Sequence, residues 1–304
     1  ERLMTSATPE KTDVLLKNGN VVGISSHYFT ASVVDKSAII PEVLTKVAGE
    51  KVLASFVFTP SEIKPNLEFN TVGYIGPKSV KDLDVVSADL SSVINLGFFG
   101  SIAKVLLNIM SWFYSYVGNW GLAIILLTLL VRLVVLPFNV ASFKSMKKMQ
   151  KIQPLMQSIR EKYKDDPTTQ QREIMSVMKE NKVNPLGGCL PMLLQMPVFF
   201  ALYQCIGQSI ELYKMPFFGW IHDLSAKDPL YVFPVLMGAT MFIQQKITPS
   251  TMDPQQAKIM QFLPLMFALM MFNLPSGLTI YMFISTLFGV IQQMLFMKNK
   301  EVAQ

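Results

Sequence analysis

Arg132 is the residue whose placement could do chemistry. It stands in the run 120–138, which is otherwise almost wholly apolar and long enough to cross a bilayer. A guanidinium at membrane depth costs roughly 2.5–3.5 kcal/mol on insertion scales. Arg cannot escape that cost by losing its proton. Such a charge must face a water-filled cavity, an internal partner or a headgroup reached by snorkelling. The chemistry open to it is electrostatic, holding a polar or anionic group where hydrocarbon would exclude it.

The surrounding apolar segments lack what other chemistries need. Five runs read as membrane spans, about 120–138, 186–208, 230–245, 260–272 and 278–297, and none holds Asp, Glu, Lys or His. Proton-coupled transport generally uses an intramembrane carboxylate or His. Intramembrane hydrolysis needs a nucleophile with a base, or metal ligands. His27 and His222 lie outside the spans and far apart. Catalysis is disfavoured, and no cofactor or metal site is expected. The polar company available to Arg132 is Thr128 one turn earlier, Gln195 and Gln204 in the second span, and Thr279, Ser285 and Thr286 in the fifth. Cys189 and Cys205 share one span, about 24 Å apart along a helix, too far to pair within it. Many of the 20 Met lie in the spans and the hairpin, where flexible thioethers suit varied apolar partners as well as ordinary packing.

The elements that position Arg132 follow from composition. Of 304 residues, 51% are hydrophobic and 16% charged, against about 25% charged in soluble domains. This is an α-helical polytopic membrane protein with an extramembrane part. Residues 1–96 carry short β-type runs, at 14–24 around an Asn18-Gly19 turn signal, and at 28–34, 51–58 and 67–75, followed by a helical stretch at 79–94. The abrupt start at Glu1 suggests that the chain begins partway through a larger domain. Residues 97–118 form an amphipathic helix suited to the membrane interface. Its expected apolar face carries Ile102, Val105, Leu106, Ile109, Phe113, Tyr116 and Val117. Residues 140–184 read as a helical hairpin with charged outer faces, holding ten Lys and Arg against five Asp and Glu. The aromatic loop 209–229 suits an interfacial position. Lys and Arg concentrate in the hairpin, the 246–258 loop and the tail 299–304, which places those segments in the cytoplasm and residues 1–119 outside. Five spans then imply one further span upstream if the full N-terminus is cytoplasmic.

Specific motifs now add a resemblance. Phe98, Phe99, Gly100 and Lys104, then Gly118, Asn119, Trp120 and Gly121, then Arg132 and Leu133 occur in order. Asn184-Pro185, Gly187, Pro191, Gln195, Pro197 and Phe199 follow, then Phe262 and Pro264, Leu274-Pro275-Ser276-Gly277, Tyr281 and Gln292-Gln293. Residues 97–298 resemble the YidC membrane-protein insertase family, with its mitochondrial and chloroplast relatives. Residues 1–96 resemble the later part of that family's β-sandwich periplasmic domain. The resemblance implies a five-transmembrane-helix core with a hydrophilic groove closed on the outside, a required cytoplasmic hairpin, and a bacterial inner-membrane location. By matching position it implies a substrate groove at Arg132 and Thr128, with Gln195, Tyr281 and Met282. It implies ribosome or substrate contact by Lys144, Lys147, Lys148, Lys151 and Arg160. Met282 stands where the family usually has a second aromatic, and Thr286 where Asn is frequent. The implied partners are nascent membrane proteins, the Sec translocon, the ribosome and membrane lipids, with no small-molecule substrate and no nucleotide hydrolysis. A small-anion channel and a structural scaffold are the competing functions. The channel would need a route open across the membrane, and the scaffold would tolerate any residue at position 132.

Overall fold

The structure is a computed structural model that describes residues 14–16, 19–48, 51–59, 68–94, 97–183, 190–248 and 254–298. Cys189, residues 184–189 of the quoted motif, residues 249–253 of the basic loop and the tail 299–304 lie outside them. The chain divides into two units, a β-rich one over residues 1–95 with 208–211, and a helical one over the remainder.

The β-rich unit has two antiparallel three-stranded sheets. One has the order β1 (Val14–Leu16), β4 (Glu42–Ala48), β5 (Lys51–Val57). The other has the order β2 (Val21–Ser25), β3 (Phe29–Asp35), β6 (Thr71–Pro77). The strand-forming flanks of Asn18-Gly19 are therefore strands, but they do not pair with each other. β1 joins β4 and β2 joins β3, so the chain changes sheets between them. β4 is an unexpected strand, and the stretch read as helix at 79–94 resolves into α1 (Val80–Val86) and a 3-10 turn, Leu90–Val93. Leu83 and Leu90 are fully buried beneath them. β3 inverts the usual alternation, burying Thr30 and Ser32 with Val34 while Phe29 and Val33 stay exposed. The two buried hydroxyls satisfy each other at 2.6 Å.

The helical unit opens with α2 (Gly100–Val117), which ends on Gly118 in the left-handed region at φ 64°. The expected single apolar face of α2 is in fact two. Ala103, Leu106, Leu107 and Met110 are buried, whereas Ile102, Val105, Trp112 and Tyr116 form a separate exposed stripe. Ser101, Asn108 and Ser115 occupy the third, exposed polar arc. Protein, apolar surroundings and water can each claim one side of such a helix.

α3 (Trp120–Lys162) is followed by α5 (Leu190–Gln208), α6 (Val232–Ile247), α7 (Pro254–Met271) and α8 (Ser276–Lys298); α3 packs on α8, and α6 packs on both α7 and α8. Asn119 caps α3, its side chain accepting from Leu122 N at 3.1 Å. α3 and α8 run parallel in one register. Arg132 meets Ser285 and Asn139 meets Gln292 at the same separation of 153 residues. Ile124 meets Gly277, and the Phe143 and Phe296 rings stack 5.8 Å apart, in that same register. α6 also runs parallel to α8, with Thr248 on Gln293 and Gln244 near Gly289. α7 runs antiparallel to α6, since Gly238 approaches Ala268 while the Tyr231 and Phe272 rings meet at a tilt, 5.0 Å apart. α5 runs antiparallel to α8, with Gln195 on Tyr281 and Ile206 near Gly277. Successive helices thus alternate in direction. Among the described residues, α3 and the Ser276–Phe296 part of α8 are long and apolar enough to cross a membrane, and Phe262–Met271 is a shorter apolar stretch.

Two expected boundaries differ. No break follows Phe138, because α3 continues through Pro137 and Pro154 to Lys162, a single helix of 43 residues. α7 begins at Pro254, ahead of the fourth apolar segment, so the helix has 18 residues while its apolar stretch stays short, Phe262–Met271. The distal end of α3 folds against α4 (Pro167–Glu180) as a hairpin with its own core of Met149, Ile152, Met156, Val177, Met178 and Val183. Asp166 caps α4 by accepting from Thr169 N at 3.1 Å. Gln170 Nε2 donates to the Arg160 and Tyr163 carbonyls at the end of α3.

Candidate functional site around Arg132

Arg132 lies twelve positions beyond Trp120, about 18 Å along α3. Its Nε and Nη2 both donate to Ser285 Oγ on α8, at 3.0 and 2.6 Å. One neutral hydroxyl therefore receives two N–H groups of a cation. No carboxylate pairs with the guanidinium among the described residues. Gly289, one turn beyond Ser285, leaves space beside it. A Cβ there would lie 3.6 Å from Arg132 Nη1 and 3.5 Å from Gln244 Nε2. Tyr281, one turn before Ser285, is fully buried. Gln195 Nε2 of α5 donates to the Tyr281 hydroxyl, which also lies in hydrogen-bond reach of Ser285. α3, α5 and α6 thus each contribute one polar side chain and α8 two, and the three α8 positions 281, 285 and 289 share one face.

The structure brings Arg132, Gln195 and Tyr281 together. Met282 is half-buried beside Tyr281, its carbonyl accepting from Thr286 Oγ1 at 2.7 Å. Thr128 is level with Tyr281 in the α3–α8 register but fully buried, and its hydroxyl donates to Ile124 O at 2.6 Å. It forms wall rather than polar lining. Gln204 lies at the other end of α5, beside Gly97. Ser285 was visible in the sequence only as one polar residue among several, and Gly289 and Gln244 were not singled out. The i, i+4 spacing of 281, 285 and 289 was the available signal.

Two turns beyond Arg132, about 10 Å along the axis, a second polar layer crosses the bundle. Asn139 Nδ2 donates to Gln292 Oε1 at 3.3 Å, and Gln293 Nε2 to Thr248 Oγ1 at 2.9 Å. Asn139 Oδ1 is buried with no partner among the described residues. The hairpin cations lie further along. Lys144, Lys148 and Lys151 are exposed, and Lys147 and Arg160 half-buried. They do not join Arg132, since Lys144 alone is twelve positions, about 18 Å, further along α3. The Thr169 hydroxyl and amide hold the Asp166 carboxyl below its ordinary range. Among the described residues no three His, Cys, Asp or Glu side chains converge to hold a metal.

A family profile described as 60Kd inner membrane protein matches residues 112–303, and one described as YidC periplasmic domain matches residues 4–109. A membrane protein insertase YidC of Citrifermentans bemidjiense is 44% identical over 97% of this chain and 56% of its own length. That of Geobacter sulfurreducens is 50% identical over 72% of this chain and 41% of its own. The chain spans about half the length of the curated relatives it matches. A crystal structure of an active YidC insertase with its first transmembrane domain resolved has a similar fold. Its TM-score is 0.57 at 23% identity, covering 92% of this chain and 78% of that one.

Proposed function

The chain belongs to the YidC membrane protein insertase family, with that family's periplasmic domain and inner-membrane core, and on that premise we propose that it inserts newly made membrane proteins through a groove centred on Arg132. One observation carries the reading: about 18 Å into α3, within its apolar run, the guanidinium is held by a neutral hydroxyl, with no carboxylate pairing among the described residues. Its charge stays available to a client.

In this reading α3, α5, α6, α7 and α8 all cross the inner membrane, as their alternating directions support. The C-terminal ends of the parallel helices α3, α6 and α8 then share the side that carries the hairpin cations, Lys246 and Lys298. Basic residues favour the cytoplasm, so the β-rich unit and α2 are periplasmic. A nascent hydrophobic segment arrives from the ribosome beside Lys144, Lys147, Lys148, Lys151 and Arg160. Its polar or acidic flank enters the groove between Arg132, Gln195, Tyr281, Ser285 and Met282, with Thr128 in the wall. Unsatisfied polar groups in hydrocarbon cost several kcal/mol each, so the groove lowers the barrier to crossing. The apolar segment then moves into lipid, and its burial drives the step without nucleotide hydrolysis or cofactor. α6, at 16 residues, spans about 24 Å against a core of about 30 Å, and its mismatch thins the bilayer there. Clients pass through alone or beside the Sec translocon.

The test is insertion of a single-span client with an acidic flank into vesicles holding the full-length protein. Arg132→Ala lowers its yield about tenfold, and Arg132→Lys retains most of it. Equal yield from Arg132→Ala and wild type would remove Arg132 from the mechanism.

A further inference from the structure

The segment between α5 and α6 is more than an aromatic interfacial loop. Within residues 212–231, Leu212, Ile221 and Leu224 are at most 1% exposed. The segment meets the N-terminal end of each parallel helix. Asn119 Nδ2, at the start of α3, donates to Pro216 O at 3.5 Å. The Phe217 ring fills the place of a side chain at Gly121. At the start of α8, Ser276 N donates to Ala226 O at 2.6 Å and Gly277 N to Leu224 O at 2.9 Å. Ser276 Oγ donates to Asp223 O at 2.8 Å. These loop carbonyls satisfy helix-end donors that would otherwise need water. Gly277 is where the layers converge, since its missing side chain leaves room for Ile124, Leu224 O and Ile206.

Asp228 ties this loop to α6. It is 1% exposed. Oδ1 accepts from Trp220 Nε1 at 2.9 Å and Leu230 N at 3.1 Å, and Oδ2 accepts from Phe233 N at 2.9 Å, in the first turn of α6. A buried carboxylate with three donors at a helix N-terminus is strongly held. Removing it leaves three part-buried donors without their shared acceptor at once. The resemblance implies a closed outer end but not what closes it. We propose that Asp228 is the positioning residue that locks segment 212–231 over the starts of α6 and α8, and that its loss opens the outer end of the bundle to water. The sidedness of this proposal rests on the topology given under the proposed function.

Cys205, fully buried in the last turn of α5 beside Ile206, which itself lies near Gly277 at the start of α8, is a native reporter at that end of the bundle. The full-length protein carrying Cys189→Ser is placed in vesicles, and a membrane-impermeant maleimide is added from either side. Proteolysis of the β-rich unit establishes which side is outer, so a wrong topology shows itself separately. In Asp228→Ala, outer-side labelling of Cys205 is expected to rise at least tenfold over Asp228, with inner-side labelling unchanged. Asp228→Asn, which keeps one acceptor oxygen, falls between and decides the matter if the Ala variant does not fold. Labelling at the Asp228 rate in the folded variants, or an equal rise from both sides, would overturn the proposal.

Discussion

Ser285→Asp separates the two things Arg132 can do: sit stably in the bundle and attract a client. The serine hydroxyl already lies 2.6 and 3.0 Å from the guanidinium nitrogens, and a carboxylate there forms an ion pair. At an effective dielectric of about 20 and 4 Å, that attraction is about 4 kcal/mol. Placing Asp at a helix centre costs roughly 2.5–3.5 kcal/mol on insertion scales, so net stability changes by only about 0.5–1.5 kcal/mol. Function responds differently. An acidic client flank must now compete with a fixed carboxylate, and losing even 1.4 kcal/mol of its attraction is a tenfold loss. Ser285→Ala is the contrasting variant. It removes two hydrogen bonds to a cation, costs about 1–2 kcal/mol of stability, and leaves the charge free for clients. Thermal unfolding in detergent and vesicle insertion of acidic-flank clients read the two properties. The reasoning fails if Ser285→Asp inserts those clients at the wild-type rate, or if Ser285→Ala loses insertion while Ser285→Asp keeps it.

Three further expectations concern the hairpin. Met156 is 1% exposed in the hairpin core, so Met156→Ala costs about 2–5 kcal/mol of hairpin stability, read as faster proteolytic cleavage at residues 163–166. Asp166 is depressed by its hydrogen bonds from Thr169, so its capping contribution is fully present above the unfolded carboxyl value of about 3.9 and is lost as pH falls through the lower folded value. Amide exchange at Thr169 should accelerate only in that acid window, and acceleration between pH 6 and 5 would contradict it. Exposed Lys148 and Lys151 changed together to Glu should weaken ribosome binding and make the log–log salt slope shallower by about 1.5, if two phosphate contacts are lost.

How far the sequence could be read depended on whether a feature is local. Arg132 stood out because one cation interrupts an apolar run. The hairpin was legible because its Met and Ile positions repeat at helical spacing and Asp166-Pro167 is a start signal. What eluded the sequence is pairwise. Nothing in 120–138 says that α8 will lie parallel to it in a fixed register, so the Ser285 contact and the space at Gly289 were invisible. The α2 apolar face was misjudged because hydrophobicity does not distinguish a side facing protein from one facing lipid. The runs flanking Asn18-Gly19 are strands as read, yet they belong to different sheets, which a local turn signal does not encode. β4 escaped because Glu42, Thr45 and Lys46 break the apolar alternation that marks a strand. Asp228 was overlooked because its three donors come from positions 220, 230 and 233, which only the folded loop assembles.

The central claim, that clients pass by Arg132, is tested most directly by a photo-crosslinker at Met282, half-buried beside Tyr281. Ribosomes carrying a single-span client are stalled at increasing chain lengths on membranes containing the full-length protein. The account predicts a crosslink that appears as the hydrophobic segment clears the ribosome and fades as the chain lengthens, and that weakens with Ser285→Asp. No crosslink at any length, with Arg132→Ala inserting the same client normally, would contradict it.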